Sequence, residues 1–445
     1  MRTRVLLAVV VVSCLLAPTF AEGPEKDKSA GNNEIQKDVE KLIEQLADED
    51  FSVRDKAAKR LLEIGADGLP TLRNALNHSD AEVRRRLEDL VPTIETSAAL
   101  SPKIVSLTAE KQTLKQIFDE LSKQTGYKCE FFNNNQNQQY SFKFEKKPLW
   151  QVLDAIGDST GLTIQQSYQE DVIRLQPQDA QVPYVCYDGP FRTVATGFQL
   201  IKNNNFGTLQ RSNPTPSRSE TLTLNLMVFA EPKTPMLSIG QASISTAYDE
   251  NKVSMKPDDT DRNNPLASRS YYRNGGYKMF CTQATANLVL PADSSRTVKY
   301  IKGNIPVTLI TAQKQELLTT EVLKAKGKQF TSGKITMSIE NVTENPGGQV
   351  AIDMNVTNSD SKNDPNDYTW QNSIYQRLEV QDGEGNKFGH AGCSWGGSGP
   401  GQMHLTLRVM PPVGPKAAPA AKLLFQAWTT MQSAVTFEFK DLPLP

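Results

Sequence analysis

Residues 392–399 read Gly392-Cys393-Ser394-Trp395-Gly396-Gly397-Ser398-Gly399, the most unusual local stretch of the chain. Its first five residues satisfy the Gly-x-Ser-x-Gly pattern of a nucleophile elbow, in which a strained turn presents a serine hydroxyl to a base. His390 and His404 flank it, so a Ser394–histidine pair is one reading, that of a serine hydrolase. The elbow needs a strand–turn–helix setting in an α/β sheet, and the neighbouring residues alternate as strands instead. The plainer expectation is a flexible loop whose Trp395 packs on a sheet. Between the two stands a ligand contact through an exposed Trp395, whose ring suits a sugar or a partner surface.

Acidic loops offer a second chemistry. Asp259, Asp261 and Asn263 occupy the first three ligand positions of a calcium loop. Asn264 stands where that loop needs glycine, and Ser270 where it needs a bidentate acid. Asn358, Asp360, Asp364, Asn366 and Asp367 form another Asx-rich segment, and such residues favour turns for backbone reasons. Ordinary turns are therefore expected first and calcium second. Four cysteines follow Cys14: Cys129, Cys186, Cys281 and Cys393, with spacings unlike the close pairs of a zinc site. Cys186 and Cys281 fall in one expected domain, which makes them the favoured disulfide, with buried free thiols the equal alternative. No phosphate loop, dinucleotide fingerprint or metal motif appears, so no catalytic, cofactor or metal residue is assigned.

The chain that must position these residues has 445 of them, with 49 basic and 50 acidic side chains and a formal net charge of -1. That balance argues against nucleic-acid binding, which needs a basic surplus on some face. Residues 1–21 combine Arg2 and Arg4 with an apolar run from Val5 to Leu16 and small residues at Thr19 and Ala21, the layout of a secretory signal. The run is shorter than the roughly 20 residues that span a bilayer. Val11-Val12-Ser13-Cys14 loosely fits a lipobox, a lesser reading because Leu15 and Leu16 continue the apolar core. Residues 22–33 are polar and predict a flexible leader.

Two internal repeats follow. Leu46, Asp50, Val53 and Arg54 recur thirty residues later as Leu76, Asp80, Val83 and Arg84, with Leu42 and Leu72 at the same offset. The aspartates are placed to cap helices, the valines to face a core, and the arginines to bond nearby carbonyls or carboxylates. Over roughly residues 34–96 the chain resembles a HEAT-like repeat pair. The second repeat echoes Leu114, Ile117, Phe118, Leu121, Thr125 and Gly126 in Leu149, Val152, Leu153, Ile156, Thr160 and Gly161. Each copy reads as a helix stopped by a left-handed glycine and followed by a strand. The order β-α-β-β-α-β-β predicts a small sheet with two helices on one face. Residues 103–176 thereby resemble the short N-terminal domain of secretins and TonB-dependent receptors, and the resemblance implies an interaction or signalling module.

After Pro177 the helical period stops, and short strand-like runs alternate with turns such as Asp188-Gly189-Pro190 and Asp382-Gly383-Glu384-Gly385. The roughly 260 residues exceed one sandwich of about 100, so two are expected, with a boundary near Ser294–Lys302. The tandem arrangement ending in Phe437-Glu438-Phe439-Lys440 resembles exported proteins of planctomycete-type bacteria, a likeness that carries over no function. The expectation is thus a multidomain chain: signal peptide 1–21, leader 22–33, HEAT-like helical repeats 34–97, a secretin/TonB short N-terminal-like α+β domain 102–177, and antiparallel β-sandwiches 182–300 and 301–445. It predicts an exported, periplasmic or secreted, non-enzymatic envelope protein serving as an interaction or scaffold module. Its expected partner is another envelope protein, with no nucleic acid, no cofactor and no membrane span in the mature chain. Carbohydrate or calcium binding by the sandwiches, and a Ser394 hydrolase, are the alternatives.

Overall fold

The computed structural model describes residues 26–132, 137–165, 171–177, 183–205, 217–257, 274–290, 295–360, 369–399, 401–412 and 418–445. The signal segment, Cys14, the Asp259–Asn263 loop and Asp364, Asn366 and Asp367 lie outside them. The chain divides into two units, residues 1–98 and 99–445.

The first unit is helical: α1 (Lys26–Gln45), α2 (Phe51–Ile64), α3 (Leu69–Asn74) and α4 (Ala81–Leu100). Helix α1 starts inside the stretch expected as a leader, residues 22–33, so that stretch is helical from Lys26. Val39, Leu46, Leu61, Leu72 and Leu87 close a core at the three- and four-residue spacing the sequence carries. The two Asp-x-x-Val-Arg copies have one local geometry. Asp50 accepts from the Ser52 N–H at 2.8 Å, and Asp80 from Glu82 and Val83 at 2.8 and 3.2 Å. Arg54 reaches back to the carbonyls of Asp48 and Glu49, and Arg84 to those of His78 and Ser79. The arginine of each copy therefore closes the turn that its aspartate caps. Val83 is buried, whereas Val53 is only half-buried.

The second unit opens with β1 (Ile104–Thr113), α5 (Leu114–Thr125), β2 (Lys128–Phe131), β3 (Gln139–Pro148), α6 (Leu149–Thr160), β4 (Leu162–Ile164) and β5 (Val172–Pro177). Thr113 and Gln116 form a reciprocal capping box at the start of α5. Gly126 and Gly161 end the two helices in the left-handed region, at φ 74° and 71°. In place of the single sheet expected, β1 pairs with β3 and β2-β5-β4 form a separate sheet. Ile117, Leu121, Leu153 and Ile156 pack with residues of both sheets in one core.

Next come β6 (Val185–Asp188), β7 (Phe191–Asn205), β8 (Ser217–Ala230), β9 (Met236–Ile239), β10 (Ser243–Asp249), β11 (Asn274–Met279) and β12 (Cys281–Leu288). They precede β13 (Thr297–Thr319), β14 (Gln329–Ser332), β15 (Ile335–Glu344), β16 (Val350–Asn358), α7 (Thr369–Arg377), β17 (Leu378–Asp382), β18 (Gly389–Gly399), β19 (Gln402–Met410) and β20 (Ala420–Pro443). Helix α7 interrupts a region that the sequence predicts as strand and turn throughout.

The strands form sheets ordered β12-β8-β7-β6, β14-β15-β16-β19-β18 and β11-β9-β13-β20-β17, with β10 also on β13. The third sheet overturns the expected boundary at 300/301, which cuts through β13. Strands β13 and β20 pair from Thr297↔Pro443 to Thr319↔Leu423, and the ribbon serves two cores. Val298, Ile305, Val435 and Phe437 fill the first, while Leu423 and Phe425 fill the second. Gly303 is required where the ribbon meets β10: a Cβ there would lie 2.4 Å from the Ser243 carbonyl oxygen and 2.6 Å from the Phe437 ring.

Candidate functional site

The residues around Ser394 do not assemble a nucleophile. They lie in β18, a strand at the edge of its sheet, where Ser394 pairs with Thr406 and Gly396 with His404. Neither histidine is hydrogen-bonded to the Ser394 hydroxyl: His404 Nε2 lies 3.2 Å from Glu340 Oε2, and the His390 ring packs on Tyr375 at 4.4 Å. The strand–turn–helix of an elbow is replaced by continuous strand. Trp395 is 43 % exposed on that edge, so neither a loop nor a ring buried against the sandwich describes it.

The expected disulfide does not form, and all four cysteines of the described residues are free thiols. Cys186 pairs with Thr193, Thr193 with Val228, and Cys281 sits opposite Phe229, which puts the two thiols on the outer strands of β12-β8-β7-β6. Three strand spacings of about 4.8 Å separate those strands, beyond the Cα reach of a disulfide. Burial pushes the Cys186 thiol up to about 11 and that of Cys281 to about 12, which keeps both protonated and inert. Among the described residues, no group of three or more His, Cys, Asp or Glu is placed to hold a metal ion. No helix among them is long and apolar enough to cross a membrane.

Three other places carry the polar chemistry of the second unit. The first is a buried junction between the α+β segment and the strands that follow. Arg192, 2 % exposed, bonds both carboxylate oxygens of Asp154 at 2.8 Å and stacks over Phe229 at 5.0 Å. Tyr187 donates to the same carboxylate at 2.6 Å, and Trp150 Nε1 donates to the Pro190 carbonyl at 2.9 Å. Glu231 is fully buried and accepts from the Lys103 N–H at 2.9 Å and the Tyr127 hydroxyl at 3.0 Å. Burial raises its pKa above the ordinary value, against the opposing pull of the Lys103 N–H and Lys233. Val194, Met227, Phe229 and Cys281 join the helices' core from across this junction, so the segment 104–177 shares its interior with the sheet behind it.

The second place is a groove of about 570 Å³ between α5 and β2, lined by Lys115, Phe118, Asp119, Glu130, Phe131 and Phe132. Strand β2 is the edge of its sheet, and Phe132 is 56 % exposed.

The third is a cleft of about 720 Å³ on the β13–β20 ribbon, walled by α7 and the turn between β14 and β15. Arg377 stacks over the rings of Phe425 at 4.3 Å and Trp428 at 5.3 Å, and its Nε donates to the Gln426 carbonyl at 2.8 Å. Desolvation pushes the guanidinium down to about 10, with Glu316 opposing, so it stays charged at neutral pH. The Trp428 Nε1–H is shielded from solvent and has no hydrogen-bond partner among the described residues. Lys334 and Asp360 pair on the wall.

Of the residues the sequence singles out, Asn358 and Asp360 line the cleft, Cys129 and Phe118 the groove, and Cys281 joins the core at the junction. Arg377 and Trp428 carry no local motif, since residues 51 apart meet only because α7 folds onto β20. A scan of protein-family models gives no match to the chain, and a search of curated proteins gives none either.

Proposed function

We propose that the chain is an exported, non-enzymatic envelope protein that works by docking another envelope protein, with the α+β segment as its contact module. The observation that supports this reading is the groove between α5 and the edge strand β2. Its Phe132 presents apolar surface beside an element that Asp154–Arg192 and Glu231 hold firmly to the sheet behind it. A rigid element loses little entropy on association, which favours docking. The resemblances to a HEAT-like repeat pair and to the secretin/TonB short N-terminal domain point the same way, and the leader-like residues 1–21 support export to the periplasm or beyond.

The test is a pull-down from envelope extract with wild-type protein and a Phe132→Asp variant side by side. A partner retained by the wild type and released by the variant supports the proposal. Equal recovery by both proteins, or nothing above background, contradicts it.

A further inference from the structure

Strand β20, far from the α5–β2 groove in sequence, has an open side. Strand β17 pairs with it only from Ala420 to Phe425, and no other described strand pairs with that side. The Thr429 carbonyl accepts from the Thr311 hydroxyl of β13, so odd-numbered residues turn their backbone groups toward β13 and even-numbered ones turn outward. Two outward residues are capped: Arg377 Nε donates to the Gln426 carbonyl, and the Thr436 N–H donates to Asp188 Oδ2. Between the caps, Trp428, Thr430, Gln432 and Ala434 turn N–H and C=O groups to a side that no described strand occupies.

Charge, proline or a bulge ordinarily blunts such an edge. This one has none of them: residues 423–437 include no charged residue and no proline, and the extra residues at the ribbon's register shifts belong to β13. The open stretch is also symmetric, because the capped Gln426 and Thr436 are equidistant from Met431. An antiparallel second copy turned about Met431 sets Trp428 against the partner's Ala434, Thr430 against the partner's Gln432 and Thr429 against the partner's Ser433. Large meets small, polar meets polar, and no like charges are opposed. All four outward residues then exchange both backbone hydrogen bonds with an outward residue of the other copy. Met431 is half-buried against the first core and meets the partner's Met431, which carries that core across the axis. We propose that the protein forms a twofold homodimer by antiparallel pairing of its β20 edges centred on Met431, joining the two ribbons into one sheet.

The experiment takes the full mature chain through sedimentation equilibrium over a concentration series, and the wild type should show a monomer–dimer equilibrium. Thr430 and Gln432 are both exposed, so their charge can be changed without touching a core. Thr430→Lys with Gln432→Lys opposes like charges at facing positions and should leave monomer, whereas Thr430→Lys with Gln432→Glu opposes unlike charges and should keep the dimer. Register is read by mild oxidation, with wild type oxidised in parallel as the background from the chain's own cysteines. Met431→Cys should give an intermolecular disulfide, since facing residues of a non-hydrogen-bonded pair have Cα atoms about 4.5 Å apart. Thr429→Cys and Ser433→Cys should crosslink to each other when mixed and neither to itself; if Met431→Cys folds poorly, that mixture carries the register. A wild type that stays monomeric throughout the series overturns the proposal. So does a dimer indifferent to the charge pattern, or one in which Thr429→Cys crosslinks alone.

Discussion

Arg192 is 2 % exposed, and Asp154 answers two nitrogens of its guanidinium at 2.8 Å. Removing one partner of a buried pair leaves the other uncompensated, which costs more than the pair itself is worth. Arg192→Met should therefore destabilise the second unit by about 3 kcal/mol in chemical denaturation, and the double variant with Asp154→Leu should recover part of that loss. A double variant no more stable than the single would contradict the pairing. Glu231 makes the pH-dependent case. Its carboxyl is raised in the fold, so the neutral form is favoured and the stability it lends is complete below the ordinary carboxylate range. That contribution is lost as pH rises through the folded value. Thermal melts of Glu231→Gln against wild type should show the variant gaining relative stability as pH rises above about 4.5, the ordinary glutamate value; a difference that is flat or falls with pH would refute the assignment. Neither residue announces itself in the sequence, since Glu231 sits in a plain turn and its donors, Lys103 and Tyr127, come from more than a hundred residues away.

Elements were more legible than residues, because what starts and stops a helix is local. Thr113 and Gln116, Gly126 and Gly161, and the aspartates of the two Asp-x-x-Val-Arg copies all act within a few residues of themselves, and each caps its helix as its spacing implies. Asp80→Ala should speed amide exchange at Glu82 and Val83 by about fivefold while leaving Ser52 unchanged, and Asp50→Ala should do the reverse at Ser52. Exchange that rises equally in both turns would show that the caps are not separate devices. Helix α7 escaped because its apolar residues, Trp370, Ile374 and Tyr375, follow a polar segment and are too few to set a period. Trp395 and Ser394 were misplaced for a related reason: a glycine-rich run reads as loop, yet β19 pairs with it as an edge strand.

Strand pairing at the scale of the whole molecule was not legible, because nothing local says that Thr297 meets Pro443. Residues 298–301 and 305–310, on either side of Lys302 at the end of the expected boundary region, lie in one strand, and so do residues 423–428 and 434–439. The ribbon they form replaces two tandem sandwiches with two cores that share a spine. Residues 99–445 should accordingly lose both cores in a single calorimetric transition, and a chain ending at Pro411 should fold neither; separate transitions for the two halves would restore the boundary at 300/301. The same misjudged distance explains the disulfide, since membership of one sheet does not make Cys186 and Cys281 neighbours. Docking at the α5–β2 groove is open to site-specific photocrosslinking in intact envelopes. A photoreactive residue at position 132 should yield one discrete heavier adduct containing a second protein, absent when the same residue replaces the equally exposed Leu317. No adduct at 132, or the same adduct from both positions, would contradict the account.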